Sequence, residues 1–148
     1  MKARNLASPQ PVVRSDAPAG EAAAVLARHD IRAVLVVDER EEFVGVLSDN
    51  ELLRGLLPAY VDQANLLAHV LEEGAAEVLY RRLEGRLVAD LMPLDRDVPP
   101  VVEADDNLVG VASMMVRARA SAVGVVEAGR LIGGITIDDL LSHLLSRR

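Results

Sequence analysis

The chain of 148 residues has no cysteine and no tryptophan, and only 2% of it is aromatic. Without thiols there are no disulfides, no thiolate nucleophile and no Cys-ligated metal site, so nothing points to an oxidising compartment. The three aromatic residues, Phe43, Tyr60 and Tyr80, do not make a set of rings on which single-stranded bases stack. Basic side chains are scattered and outnumbered, 16 Lys and Arg against 23 Asp and Glu, for a net charge of −7. Nucleic-acid binding needs a concentrated basic surface, and that is missing. No apolar run approaches the roughly 20 residues that span a bilayer. Residues 1–10 carry two basic side chains but no apolar stretch of a secretory signal. His29, His69 and His143 stand too far apart for metal-ligand spacing, and no catalytic nucleophile motif, Walker loop or dinucleotide fingerprint is present. The expectation is a soluble, cytoplasmic, non-enzymatic protein that touches neither nucleic acid nor membrane and has no obligatory cofactor or metal.

What the sequence does have is a large apolar fraction, 51%, enough to bury a core, and an internal repeat. Pro11 to Asp38 aligns without gaps on Pro100 to Glu127, with identical residues at ten of 28 positions. After a one-residue deletion in the second copy, Phe43-Val44-Gly45-Val46-Leu47-Ser48 faces Leu131-Ile132-Gly133-Gly134-Ile135-Thr136. The leucine pairs Leu52-Leu53 and Leu56-Leu57 then face Leu140-Leu141 and Leu144-Leu145.

Each copy reads as the same series of elements. A short strand at Val12-Val13 or Val101-Val102 precedes polar punctuation and a helix over Ala19 to His29 or Leu108 to Ala118. Two β-branched runs follow, Ala33 to Val37 with Phe43 to Leu47, and Ala122 to Val126 with Leu131 to Ile135. Their connections are the charged turn Asp38 to Glu42 and the turn Glu127 to Arg130, where Gly129 supplies a positive φ. A second helix, Asp49 to Leu57 or Ile137 to Leu145, closes each unit, giving the order β-α-β-β-α. Residues 58–91 are too long for a structureless loop. Tyr60, Ala64, Leu67 and Leu71, then Leu79, Leu83 and Leu87, recur at helical spacing and predict two linker helices broken near Gly74. The prolines between Met92 and Pro100 predict an extended connector. The division expected is a first unit over 1–57, a helical linker over 58–91 and a second unit over 92–148.

These residues resemble the CBS-domain family, named after cystathionine β-synthase. The most specific feature is a hairpin ending in glycine, apolar residues, Thr or Ser, two residues, Asp and a leucine pair. Gly133-Gly134-Ile135-Thr136-Ile137-Asp138-Asp139-Leu140-Leu141 matches it throughout, while Gly45-Val46-Leu47-Ser48-Asp49-Asn50-Glu51-Leu52-Leu53 departs at Glu51. The resemblance implies an α+β, α/β-type sandwich in which two units pack sheet to sheet about a pseudo-twofold axis and modules dimerise through their helices. It also implies a tandem pair, or Bateman module, whose clefts take AMP, ATP or S-adenosylmethionine and regulate another protein. With no enzyme or transporter domain in the sequence, the regulated protein is expected to be a separate, unidentified partner.

The site chemistry fits that implication. Ser48 and Thr136 fall where a strand ends and a helix begins, beside unpaired backbone N–H groups that attract anions. Three residues on, the carboxylates of Glu51 and Asp139 suit the vicinal hydroxyls of a ribose. The candidate adenine-facing residues are Val102, Ala122 and Val123 in one unit and Val13, Ala33 and Val34 in the other. A second reading stands beside this one, since Ser-x-x-Glu is a capping box that needs no ligand and Thr136 to Asp139 is its close relative. The second pair matches the ligand pattern fully and is expected to bind more tightly. The acidic Asp49 and Asp138 in the intervening positions favour adenosine, AMP or a sulfonium-bearing adenosyl ligand over ATP. The alternative function is a ligand-free structural or protein-interaction module that keeps the dimer.

Overall fold

The structure is a computed structural model, and it describes residues 1–57, 75–93 and 98–147. The first unit contains β1 (Val12–Arg14), α2 (Ala19–His29), β2 (Ala33–Val37), β3 (Phe43–Ser48) and α3 (Asp49–Leu56), preceded by the short helix α1 (Ala3–Leu6). After the undescribed stretch come α4 (Ala75–Gly85) and the one-turn helix α5 (Val88–Leu91). The second unit follows as β4 (Val101–Glu103), α6 (Leu108–Ala118), β5 (Ala122–Glu127), β6 (Arg130–Thr136) and α7 (Ile137–Leu145). The expected β-α-β-β-α order holds in both copies.

Each unit carries a three-stranded sheet, ordered β1-β2-β3 and β4-β5-β6. The first strand of each pairs parallel with the middle one, with Val13 opposite Val36 and Val102 opposite Val125. The middle and last strands form an antiparallel hairpin with a register shift at the same place, Val36/Val37 and Val125/Val126. In the second hairpin both turn residues take positive φ, Ala128 at 52° and Gly129 at 79°, the requirement of a two-residue turn that follows strand twist.

Side chains alternate across a strand, and this divides the core into three. Val13, Val34, Val36 and Leu47 face the helices of the first unit, where Leu26, Leu52 and Leu56 cover them. Val102, Val123, Val125 and Ile135 do the same under Val111, Met115 and Leu140 in the second. The opposite sheet faces meet each other through Leu35, Val46 and Ala122, with Ala33 and Phe43 packed against them. A tandem pair of sheets joined face to face is thus the observed α+β architecture.

The two units also exchange their leading turns. Ala3 is fully buried in the second core, and the backbone amides of Ala3 and Arg4 donate to the carbonyls of Asp106 and Ala104. Val88 and Leu91, which come just before the second unit in the chain, are buried in the first core. There the amides of Val88 and Ala89 donate to Ala17 and Ser15, at the matching positions of the repeat. Packing therefore crosses the chain-order division at 57 and 92.

The linker helix expected over 58–74 lies outside the described residues. Its successor, α4, packs on α2 and α3, and Arg82 donates to the carbonyls of Leu56 and Leu57 at the end of α3, a favourable place for a cation. Leu87 does not extend α4, although its spacing from Leu79 and Leu83 fits that helix. The helix stops at Gly85, and Leu87 instead bridges to Pro18 and donates its amide to Asp90 Oδ2 at 2.9 Å to start α5.

Candidate ligand cleft between the two units

Ser48 is the N-cap of α3 and Thr136 the N-cap of α7, both in extended backbone. Ser48 Oγ accepts from the Glu51 amide at 3.1 Å while Glu51 Oε1 accepts from the Ser48 amide at 3.0 Å. Thr136 Oγ1 accepts from the Asp139 amide at 3.0 Å and Asp139 Oδ2 from the Thr136 amide at 2.9 Å. Both motifs therefore form complete capping boxes. Each is also tied to the loop before the middle strand, through Asp49 N to Arg32 O at 2.8 Å and Ile137 N to Ser121 O at 3.0 Å.

A cavity of about 220 Å³ opens at the first of these caps. Its walls are Arg32, Val46 and the cap residues Ser48 to Glu51 from the first unit, and Arg119, Ala120 and Ser121 from the second. A wider groove of about 650 Å³ shares Ser48, Asn50, Glu51 and Arg119, and runs on past Arg54, Asp90 and Arg117. Ser48 and Glu51 thus line both spaces. Neither is lined by Thr136 or Asp139.

The apolar residues singled out in the sequence are placed deeper. Val13 and Val34 sit in the helix-facing core of the first unit, Val102 and Val123 in that of the second. Ala33 and Ala122 lie on the face between the sheets. None of the six lines either cavity, and the apolar wall is made instead by Val46 and Ala120. Alternation places the four valines: the β-branched positions that stand out in each strand are those turned under the helices.

Arg54, Arg117 and Arg119 were not evident as site residues in the sequence. Arg119 follows α6 in the left-handed region, φ 52°, as does its counterpart Asp30 after α2, φ 51°. That paired geometry is a legible helix stop, but only the packing of the two sheets brings the loop after α6 over the cap of α3. Among the described residues no group of histidine and carboxylate side chains is arranged to hold a metal ion. No helix among them is long and apolar enough to cross a membrane.

A family model for the CBS domain matches residues 3–58 and 88–146. The chain belongs to the CBS domain family. Its fold closely follows a CBS domain-containing protein of unknown function from Kribbella flavida, 35% identical, covering 98% of this chain and 99% of that one with a TM-score of 0.81. CBSX2 of Arabidopsis thaliana, whose structure was solved in complex with AMP, is 24% identical over 99% of this chain and 98% of that one, TM-score 0.68. The CBS domain pair of MJ0100, solved with 5-methylthioadenosine and S-adenosyl-L-methionine, is 21% identical over 100% and 98%, TM-score 0.68. No curated protein matches the chain. The two CBS units are the two repeats, and the space between them at Ser48 is enclosed by both.

Proposed function

We propose that this CBS pair is a non-enzymatic regulatory module that binds an adenosine-containing small molecule between its units and passes the resulting change of shape to a partner protein. The observation that carries this reading is the cavity at Ser48, because its walls come from both units. A ligand there contacts the cap of α3 and the Arg119 to Ser121 loop at once, so its binding energy depends on how the units sit together. That dependence is the requirement for a ligand to shift a conformational equilibrium. Glu51, and Asp139 in the second unit, would receive ribose hydroxyls, and the α3 and α7 amides would face phosphate or other anionic groups. The adenosyl complexes of CBSX2 and the MJ0100 pair support the ligand class by similarity of fold.

The test is a thermal-shift panel of adenosine, AMP, ADP, ATP, S-adenosylmethionine and methylthioadenosine. A ligand that binds only the folded chain at a hundred times its Kd adds about 2.7 kcal/mol of stability, which raises Tm by several degrees in a chain of this size. No shift by any member at millimolar concentration removes the sensing function.

One observation favours the second reading, a ligand-free interaction module. Each capping box pairs its N-cap and N3 amides with its own side chains, so those groups complete their hydrogen bonds without a ligand. A flat panel together with an intact dimer is its signature.

A further inference from the structure

We propose that the first cleft, at Ser48, is built for an adenosyl ligand with a chain of two or more phosphates, and that the matching position of the second unit, at Thr136 and Asp139, excludes such a chain. This rests on the adenosyl-binding function proposed above and goes further by assigning ligand charge to each cleft. The cavity at Ser48, at about 220 Å³, is smaller than the roughly 300–1,000 Å³ of small-molecule sites. A nucleotide entering it must continue into the adjoining groove, and that groove is lined by Arg54, Arg117 and Arg119.

Four guanidiniums line the two spaces, Arg32, Arg54, Arg117 and Arg119. Among the described residues none of them forms an ion pair or donates a side-chain hydrogen bond, whereas Arg4, Arg14 and Arg81 each hold a carboxylate. Among the described residues they outnumber the three carboxylates of the same walls, Asp49, Glu51 and Asp90. All three are engaged, Asp90 accepting from the Leu87 amide, Glu51 from the Ser48 amide and Asp49 from the Asn50 amide. Arginine presents a planar fork that matches phosphate oxygens, and several around one groove suit a chain of them.

The repeat gives an internal control. At the positions corresponding to Arg32, Arg54 and Arg119 the other unit has Ser121, Ser142 and Asp30, and only Arg117 keeps its type, as Arg28. Asp30, Asp138 and Asp139 there stand against two arginines, Arg28 and, at the position of Ser121, Arg32. The acidic neighbours of the caps, which disfavour ATP when read from the motif alone, are therefore offset in the first cleft and not in the second.

Calorimetric titration of the full chain with adenosine, AMP, ADP, ATP and inorganic tripolyphosphate tests this at low and high salt. The expected result is an affinity that rises at least about tenfold from AMP to ATP at low salt, with one ATP per chain and competition by tripolyphosphate. Salt should compress the series, since the contacts are exposed. Arg117→Ala with Arg119→Asn should flatten the series, with a far larger loss for ATP than for adenosine. Asn tolerates the left-handed backbone at 119, and Arg54→Ala, on an exposed helix position, is the second variant. A series that is flat in the wild type, or unmoved by both variants, overturns the inference, as do two equivalent ATP sites per chain. Binding of adenosine and AMP in a flat series leaves the sensing function standing. Tripolyphosphate binding lost in the arginine variants, with no adenosyl ligand bound, overturns the sensing function and keeps the phosphate assignment.

Discussion

Ser8 and Gly134, 126 positions apart in the chain, exchange two backbone hydrogen bonds, Ser8 N to Gly134 O at 3.1 Å and Gly134 N to Ser8 O at 3.0 Å. The segment after α1 thereby lies along the edge of β6. Its backbone approaches so closely that a Cβ on Gly133 would stand 2.8 Å from the Ser8 carbonyl oxygen. A side chain there has to displace main chain, not a flexible tip. Gly133→Ala should cost about 1–3 kcal/mol, read as a lower urea midpoint at unchanged m-value. If the cost comes from this contact, it should shrink in a chain lacking residues 1–8. A full-length Gly133→Ala protein as stable as wild type would show that the edge contact is loose.

The same N-terminal segment is held by charge. Arg4 pairs with Asp105 and, at 2.7 Å, with Glu127, while Lys2 Nζ lies 3.2 Å from Asp105. The hydrogen bond from Arg4, then that from Lys2, holds the Asp105 carboxyl below the usual aspartate range. A carboxyl whose pKa is depressed by folding contributes stability that is present above its unfolded pKa of about 3.9 and is lost as pH falls through the lower folded value. The wild type should thus lose more Tm than Arg4→Ala between about pH 5 and pH 2, and the difference should narrow in high salt because every member of the network is exposed. Parallel pH profiles for the two proteins would refute the linkage.

Cap and ligand roles separate by substitution in the second unit. Thr136→Ala should remove about 1 kcal/mol of stability, the ordinary cost of an N-cap, with Thr136→Ser close to neutral. Asp139→Ala should also lower stability, since its carboxylate accepts from the Thr136 amide. Under the sensing function it should in addition weaken an uncharged adenosyl ligand in that cleft by about ten- to a hundred-fold. Titration with adenosine or methylthioadenosine, alongside thermal unfolding, reads both. A variant that is less stable but binds unchanged leaves Asp139 as a cap alone.

The elements were legible because each has a local cause. Ala19–His29 and Leu108–Ala118 follow from helical periodicity between polar starts and a left-handed stop. The hairpins follow from β-branched runs around the charged turn Asp38 to Glu42 and around a turn with Gly129. The motif residues Ser48, Glu51, Thr136 and Asp139 were legible as caps for the same reason. Contacts made across the repeat were not. Nothing near Ala3 marks it as part of the second core, and nothing near Arg119 marks it as facing the cap of α3, because both facts depend on how two sheets 89 positions out of phase stack. The depth of the apolar site candidates was not legible for a related reason: a fully apolar strand such as Ala33–Val37 does not say which face meets helices and which meets the other sheet.

The helices of the two units are covered unequally, and this locates the expected dimer. In the first unit α4 lies on α2 and α3, with Leu83 packed against that core. In the second unit no described residue covers the outer faces of α6 and α7. Val109 and Val116, two turns apart on α6, are 79% and 77% exposed, and Leu141, Leu144 and Leu145 on α7 are also exposed. Apolar side chains exposed together on two helices suit an interaction surface, and a second copy presenting the same face buries it by a twofold operation. The chain should therefore sediment as a dimer whose interface centres on α6 and α7. Val116→Glu or Leu144→Glu, each placing charge on both sides of the axis, should raise the dissociation constant by at least about tenfold while leaving the monomer folded by circular dichroism, whereas Leu53→Glu on α3 should have a smaller effect. A wild-type protein that stays monomeric at micromolar concentration by analytical ultracentrifugation would sink the dimer, and equal loss from the α3 and α7 variants would move the interface to both units.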